Sequence, residues 1–187
     1  MRLFTAVDLS DEARTAIAGV QARLRRALDR GRSSLRWVRP EHMHLTLVFL
    51  GELPEAQVPA LIENMSAAVD IAPFTAVLGG LGTFPPERAP RVLWLGLEAG
   101  VREAIELERL VRARVAQADL PVDARPFHPH LTLARWRESR PSDRRLPDAD
   151  ARAVARIDVR EVTLYESRLG SNGPSYNVLA RASLRAQ

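Results

Sequence analysis

The chain has 187 residues, of which 46% are apolar and 27% are charged, and its 27 basic and 23 acidic side chains give a net charge of +4. Every basic residue is arginine and there is no cysteine, which excludes a disulfide framework, cysteine-ligated zinc and thiol catalysis. The apolar fraction is enough for a buried core. No segment approaches the ~20 apolar residues of a membrane span, and the N-terminus lacks the pattern of a signal peptide. We therefore expect a folded cytoplasmic protein with no membrane contact.

Hydrophobic periodicity and turn residues predict the secondary structure in chain order. The first half is predicted to contain a strand at residues 2–9, a helix from an N-cap at Ser10 to about residue 29 that ends at Gly31, strands at 35–38 and 44–50, and a helix at 54–68. The second half is predicted to contain strands at 74–81 and 92–97, a helix at 101–118, a strand at 130–134, a mobile polar loop at 137–150, and strands at 159–165 and 176–184.

Helices and strands are interspersed, but short links rich in Pro and Gly join neighbouring strands. Such links favour antiparallel pairs, so we predict an α+β fold rather than a doubly wound parallel sheet. No linker-like segment divides the sequence, and we expect residues 1–187 to form one domain.

The four histidines form two H-x-H pairs, His42 with His44 and His128 with His130. The second histidine of each pair begins the same tetrapeptide, HLTL, once in each half of the chain. Two H-x-T matches among four histidines are improbable by chance. This repeat is the strongest functional signal in the sequence.

In a strand, residues i and i+2 point to the same face. Each motif would therefore place an imidazole and a hydroxyl on one side, His44 with Thr46 and His130 with Thr132, and both leucines on the core side. Two such strands facing each other would form a cleft with one general base, one general acid and two hydroxyl donors for anionic oxygens. The pattern is suited to phosphoryl chemistry without a metal.

Other interpretations are weaker. H-x-H pairs occur in metal sites, but no acidic residue stands at a matching position in both motifs. There is no G-x-S-x-G elbow of a serine hydrolase, and the GGLG run at 79–82 lacks the G-K-[ST] of a P-loop. A single strand histidine is usually structural, and we assign that role to His42 and His128.

At these residues the sequence resembles the 2H phosphoesterase superfamily, and within it the RNA 2′,3′-cyclic phosphodiesterase family, formerly called 2′-5′ RNA ligase. The resemblance extends over nearly the entire chain and rests on the segments LFTAVDLSDEAR, LRWVRPEHMHLTLVFLGEL, GTFPPERAPRVLWLGL, RPFHPHLTLAR and LYESRLGSNGPSYNVL. It implies a bilobal α+β fold, in which two antiparallel-sheet lobes with helices surround a central cleft and each lobe carries one HLTL motif.

The resemblance also implies the reaction, which is the opening of an RNA 2′,3′-cyclic phosphate to a 2′-phosphate with no metal or other cofactor. By motif, His44 is the acid that protonates O3′ and His130 is the base that activates water. Thr46 and Thr132 would hold the non-bridging oxygens. Two further residues occupy matching offsets after the motifs: Arg135, which would contact the phosphate, and Phe49, which would either stack on a base or pack in the core.

Several alternatives remain open. The substrate is either an RNA end, with possible reversal to 2′-5′ ligation, or a small cyclic or 2′-5′ linked nucleotide. An RNA-binding protein with a retired catalytic site and a metallohydrolase are further hypotheses.

Seven arginines and one aspartate occupy residues 23–39 (Arg23, Arg25, Arg26, Arg30, Arg32, Arg36 and Arg39, with Asp29). This basic run either guides an RNA backbone or is the solvated face of a helix. We expect Trp37 to be in the core, residues 137–150 to depart from the family, and the protein to be a monomer.

Overall fold

The computed structural model describes residues 1–28, 34–118, 120, 126–170 and 173–186, and these residues contain three α-helices and ten strands. The helices are α1 (Asp11–Leu28), α2 (Val58–Ser66) and α3 (Val101–Gln117). The strands are β1 (Arg2–Val7), β2 (Leu35–Trp37), β3 (Leu45–Glu52), β4 (Val69–Asp70), β5 (Phe74–Phe84), β6 (Val92–Ala99), β7 (Leu131–Trp136), β8 (Ala155–Val159), β9 (Glu161–Gly170) and β10 (Gly173–Arg185). Short 3₁₀ turns lie at Pro40–His42, Glu55–Gln57 and Pro141–Arg144.

The strands form two five-stranded sheets, with the orders β3-β1-β9-β10-β4 and β2-β7-β6-β5-β8. All pairs are antiparallel except the short parallel pair of β10 with β4. The α+β fold class is therefore confirmed. Each sheet contains one motif strand, β3 in the first sheet and β7 in the second.

Two strands were not predicted, and one loop was predicted too long. The predicted strand at 159–165 divides at Arg160, because the chain leaves β8 in the second sheet and enters β9 in the first. Strand β4 has only two residues, too few for periodicity to show. Strand β5 extends to Phe84, into the segment that its prolines had indicated to be loop. A 3₁₀ turn at Pro141–Arg144 lies within the polar loop predicted at 137–150.

Helix α1 begins as its sequence predicts. The hydroxyl of Ser10 accepts a hydrogen bond from the backbone N–H of Ala13 at 3.2 Å, which caps one of the unpaired N–H groups of the first turn. The buried Gln21 donates from Nε2 to the carbonyl oxygens of Val38 and Leu133, both at 2.9 Å. The hydrogen bond to Leu133 joins helix α1 to the second motif strand, β7. The predicted helix end at Gly31 lies outside the described residues.

A β-bulge interrupts the first motif strand at Leu47. In the pairing of β1 with β3, Thr46 and Val48 lie opposite consecutive residues of β1, so Leu47 is an extra residue. A bulge shifts the alternation of side chains by one position. Phe49, three residues after Thr46, therefore returns to the face that carries Thr46.

The second motif strand has the same irregularity at the equivalent residue. Thr132 and Ala134 lie opposite consecutive residues of β6, and Leu133 is the extra residue. Arg135 therefore shares a face with Thr132, as Phe49 does with Thr46. The matching bulges place the two side chains that follow the motifs at equivalent positions.

The motif leucines anchor both strands in a continuous hydrophobic core. Leu45, Leu47, Leu131 and Leu133 are at most 4% exposed, as the alternation predicted. Among the described helices, none combines the length and apolarity needed to cross a bilayer.

Candidate active site

A cleft of about 530 Å³ lies between the two sheets. The motif strands β3 and β7 approach each other there, with Cα atoms within 8 Å. All six residues predicted for the site line this one cleft: His44, Thr46, Phe49, His130, Thr132 and Arg135. Each motif histidine precedes its strand by one residue, rather than lying within it as the alternation had predicted.

The ring of His130 is held in one tautomer. Its Nδ1 lies 2.7 Å from the carbonyl oxygen of His128. Because a carbonyl oxygen only accepts hydrogen bonds, Nδ1 must carry the hydrogen, and Nε2 of the neutral ring keeps a lone pair. His130 is therefore prepared to accept a proton at Nε2.

Two aromatic rings pack against His130. Its ring centroid lies 5.0 Å from that of Phe84 in an edge arrangement and 6.2 Å from that of Trp94. Trp94 lies over Gly82, where an added Cβ would be only 2.1 Å from the indole. Glycine at this position is what allows the indole to lie beneath the histidine.

His44 is enclosed by aromatic rings from three strands of the first sheet, β1, β9 and β10. Phe4 stacks on it with a centroid distance of 4.7 Å, and Tyr176 contacts it edge-on at 5.3 Å. Tyr165 stacks on Phe4 at 5.2 Å and lies 6.4 Å from His44. A hydrogen bond to the backbone of His42 favours the protonated form of His44, so each motif histidine bonds to the backbone two residues earlier.

A carboxylate, that of Asp8, lies next to this aromatic group. Asp8 accepts hydrogen bonds from the hydroxyl of Thr163 at 2.9 Å and from that of Tyr165 at 2.5 Å. Its negative charge favours the imidazolium form of His44, and burial together with this carboxylate raises the pKa of the Tyr165 hydroxyl. Asp8 therefore partly offsets the cost of charging a buried histidine.

Burial controls the charge of both motif histidines. It lowers the pKa of His44 to about 4, although Asp8 acts in the opposite direction. It also lowers the pKa of His130, and the nearby Arg135 contributes to the same direction. Both lowered pKa values favour neutral imidazoles at pH 7, and an anion bound between them would raise both pKa values.

An NMR titration of the histidine ring protons tests this electrostatic environment. In the free protein we expect His44 to titrate near pH 4, so that it is protonated below that pH and neutral above it. With inorganic phosphate bound in the cleft we expect its pKa to rise by about 1–3 units, because an anion within ~4–6 Å stabilises the imidazolium. A His44→Gln variant assigns the signal. A free-protein pKa of the ordinary histidine value, or a pKa that phosphate leaves unchanged, would contradict the described burial.

The sequence did not indicate several residues that line the same cleft. Arg2 and Tyr176 are the clearest of them. The charges of Arg135 and Arg2 both lower the pKa of the Tyr176 hydroxyl, against the larger raising effect of burial, so two guanidinium groups lie near this ring. Alternation along β1, which places Arg2 and Phe4 on one face, was the available signal for Arg2.

The first histidine of each pair lies beside its motif. His42 lines the cleft and packs edge-on against Tyr176 at 5.4 Å. His128 packs against Phe84 at 5.4 Å and Trp94 at 5.0 Å. The structural role predicted for both residues stays a prediction, and the backbone groups of both bond to the motif histidines.

Some of the described arginines of the basic run contact other parts of the protein. The guanidinium of Arg23 donates to the carbonyl oxygen of Ala149 at 3.0 Å, and that of Arg25 lies 5.2 Å from the centroid of the Trp37 ring. Trp37 is half-buried and packs against the core. Arg36 lies on β2. Arg30 and Arg32, like Asp29, lie outside the described residues.

The two H-x-H pairs leave a metal site as an alternative interpretation. Across residues 1–28, 34–118, 120, 126–170 and 173–186, no group of three or more His, Cys, Asp or Glu side chains is placed to hold a metal ion.

Paired H-x-T motifs across a cleft between two sheets are the arrangement that the 2H phosphoesterase resemblance implies. The family model described as the 2′-5′ RNA ligase superfamily matches residues 10–170. The chain therefore belongs to the 2′-5′ RNA ligase superfamily.

Individual relatives give the same result. A protein of Thermus thermophilus named RNA 2′,3′-cyclic phosphodiesterase is 37% identical, with 100% of this chain and 92% of the relative covered. A Geobacillus stearothermophilus protein of the same name is 36% identical over 95% of this chain and 55% of its own length, so the chain spans about half of that relative.

The crystal structure of E. coli LigT complexed with 3′-AMP is also similar to this protein. The TM-score is 0.74 at 30% sequence identity, and 98% of this chain and 97% of that chain are covered. The two-sheet α+β fold that the sequence resemblance implied is therefore confirmed.

Proposed function

We propose that this protein hydrolyses RNA 2′,3′-cyclic phosphate ends to 2′-phosphates, with His44 and His130 as an acid–base pair. The observation that carries the proposal is the convergence of both H-x-T motifs on one cleft. The names of the Thermus and Geobacillus relatives support the substrate class, and the LigT complex with 3′-AMP supports a nucleotide in the cleft.

The mechanism requires two proton transfers. Water attacks the phosphorus, and Nε2 of His130 accepts the water proton as the new P–O bond forms. The P–O3′ bond then breaks, and His44 donates a proton to O3′, so the products are a 2′-phosphate and a 3′-hydroxyl. Because burial lowers the pKa of His44 to about 4, the charge of the bound phosphate is what raises this pKa enough for His44 to act as the acid.

The hydroxyls of Thr46 and Thr132 donate hydrogen bonds to the non-bridging oxygens, where negative charge increases in the transition state. Arg135 contacts the phosphate from the second sheet. Phe49 is 57% exposed at the cleft, which favours base stacking over the packing role that the sequence left equally open. No metal or other cofactor takes part in these steps.

A 5′-hydroxyl in place of water would give a 2′-5′ linkage through the same two proton transfers, which agrees with the name of the superfamily. A small cyclic or 2′-5′ linked nucleotide is the alternative substrate. Action as a monomer in the cytoplasm, with residues 1–187 as one domain, stays a prediction from the sequence.

Product analysis tests the function. A synthetic RNA that ends in a 2′,3′-cyclic phosphate should give a 2′-phosphate end, at a rate that EDTA leaves unchanged, because the proposed steps use only protein side chains. A 3′-phosphate product would mean that the P–O2′ bond breaks instead of the P–O3′ bond, and that the assignment of His44 as the acid toward O3′ is wrong. No turnover of this RNA or of a cyclic mononucleotide would refute the proposal.

A further inference from the structure

Two arginines lie side by side at one end of the cleft. In the antiparallel pairing of β2 with β7, Arg36 is directly opposite Arg135. Such partners have Cβ atoms about 5 Å apart and point to the same face of the sheet. Both side chains are exposed. The pair therefore presents two guanidinium groups to solvent at one place.

This arrangement is unfavourable without an anion. Like charges directly opposite each other destabilise a strand pair. Within the described part of the chain, every ion pair uses arginines other than Arg36 and Arg135. The repulsion is thus not offset by a carboxylate there, which indicates a ligand that brings negative charge.

The position of the pair indicates how that ligand is arranged. Arg135 lines the cleft, as does Val38, the residue after β2. Strand β2 is the edge strand of the second sheet, and Arg36 lies on it beyond the cleft lining. Arg39 is exposed three residues further along. The arginine pair therefore extends from inside the cleft to its outer edge.

A single cyclic nucleotide has one phosphate, which the motif histidines, the motif threonines and Arg135 already hold under the proposed function. Arg36 would then have nothing to bind. An RNA strand has a second phosphate on the 5′ side of its terminal nucleotide, and guanidinium groups bind phosphate oxygens through paired N–H donors. An arginine just outside the cleft is suited to this second phosphate.

We propose that Arg36 binds the phosphodiester preceding the cyclic phosphate, next to the contact of Arg135 with the cyclic phosphate itself, and so makes an RNA strand a better substrate than a mononucleotide. This inference rests on the proposed function and decides between the two substrate classes that the sequence left open.

The test compares two substrates. An octaribonucleotide with a 2′,3′-cyclic phosphate end and adenosine 2′,3′-cyclic phosphate are given to the unchanged protein and to Arg36→Gln. We expect the ratio of kcat/KM for the octamer to that for the mononucleotide to exceed one and to fall about tenfold in the variant, as for loss of one charge-assisted contact. For the octamer, the slope of log kcat/KM against the logarithm of the salt concentration should become less negative by ~0.7, the value for one phosphate contact on a single strand.

Arg26→Gln is the matched control, because Arg26 is an exposed arginine of the same basic run on α1 and its loss removes the same charge. It should leave the ratio unchanged. An equal change of the ratio in both variants would mean that net charge alone is responsible and would overturn the proposal. So would a ratio that Arg36→Gln does not change.

Binding separates this inference from the catalytic proposal. Fluorescence anisotropy with a labelled octamer that ends in a 2′-phosphate needs no turnover. Weaker binding by Arg36→Gln and not by Arg26→Gln would support the RNA site even if neither cyclic phosphate were opened. Equal displacement of the octamer by polyglutamate would show a general polyanion surface and would overturn it.

Discussion

Alanine at His44 or at His130 is expected to lower kcat for opening of a 2′,3′-cyclic phosphate by about 10³-fold, within the range for loss of a positioned general acid or base. The two losses should not multiply in the double variant, because the acid and the base act on the same transition state. Rates measured with a synthetic RNA end, together with circular dichroism of each variant, test this expectation.

His128→Asn is the matched control for these variants. It replaces an imidazole beside the motif but keeps the backbone carbonyl that orients His130. We expect its kcat to fall by less than about tenfold, since it removes packing and leaves both proton-transfer groups in place. Full activity of a folded His44→Ala or His130→Ala protein would refute the acid–base pair.

Valine at Thr46 or at Thr132 is expected to lower kcat by about 10²-fold, the lower end of the cost of removing one hydrogen-bond donor to developing negative charge. Valine keeps the branched shape of threonine, so the neighbouring leucines in the core should not be disturbed. KM should change little, because the hydroxyls stabilise the transition state more than the bound substrate.

Thr15→Val serves as the control for this substitution, because its hydroxyl bonds to the carbonyl of Asp11 on the exposed face of α1. It should leave kcat and KM unchanged. If Thr46→Val or Thr132→Val raised KM at constant kcat, the hydroxyls would bind substrate and transition state equally, and their proposed role would be wrong.

The alternation of the HLTL motifs predicts much of the site. It predicts that the leucines are buried and that each histidine shares a side with its threonine, because strand geometry depends on local sequence. The bulges at Leu47 and Leu133 are not predictable in this way. A bulge is defined by which residues lie opposite each other, and those partners come from strands distant in sequence.

Long-range pairing also explains the other differences. Charge counting could not show that Arg23 and Arg25 bind to the protein itself, or that Arg36 lies opposite Arg135. The aromatic enclosure of His44 depends on Tyr176, which comes from the other end of the chain. Periodicity describes one segment at a time, whereas these contacts join segments that only the fold brings together.

The matching bulges have a consequence for the direction of the substrate. They make the two halves of the cleft nearly equivalent, and a symmetric site would accept a cyclic phosphate in either of two orientations. The equivalent positions hold Phe49 on one side and Arg135 on the other, which distinguishes them. Under the proposed mechanism, a base on the aromatic side and a strand leaving on the cationic side fix which motif histidine meets O3′. The division of acid and base roles between His44 and His130 would then be set by one pair of unlike residues, and exchanging Phe49 and Arg135 would favour the reversed roles while the product stays a 2′-phosphate.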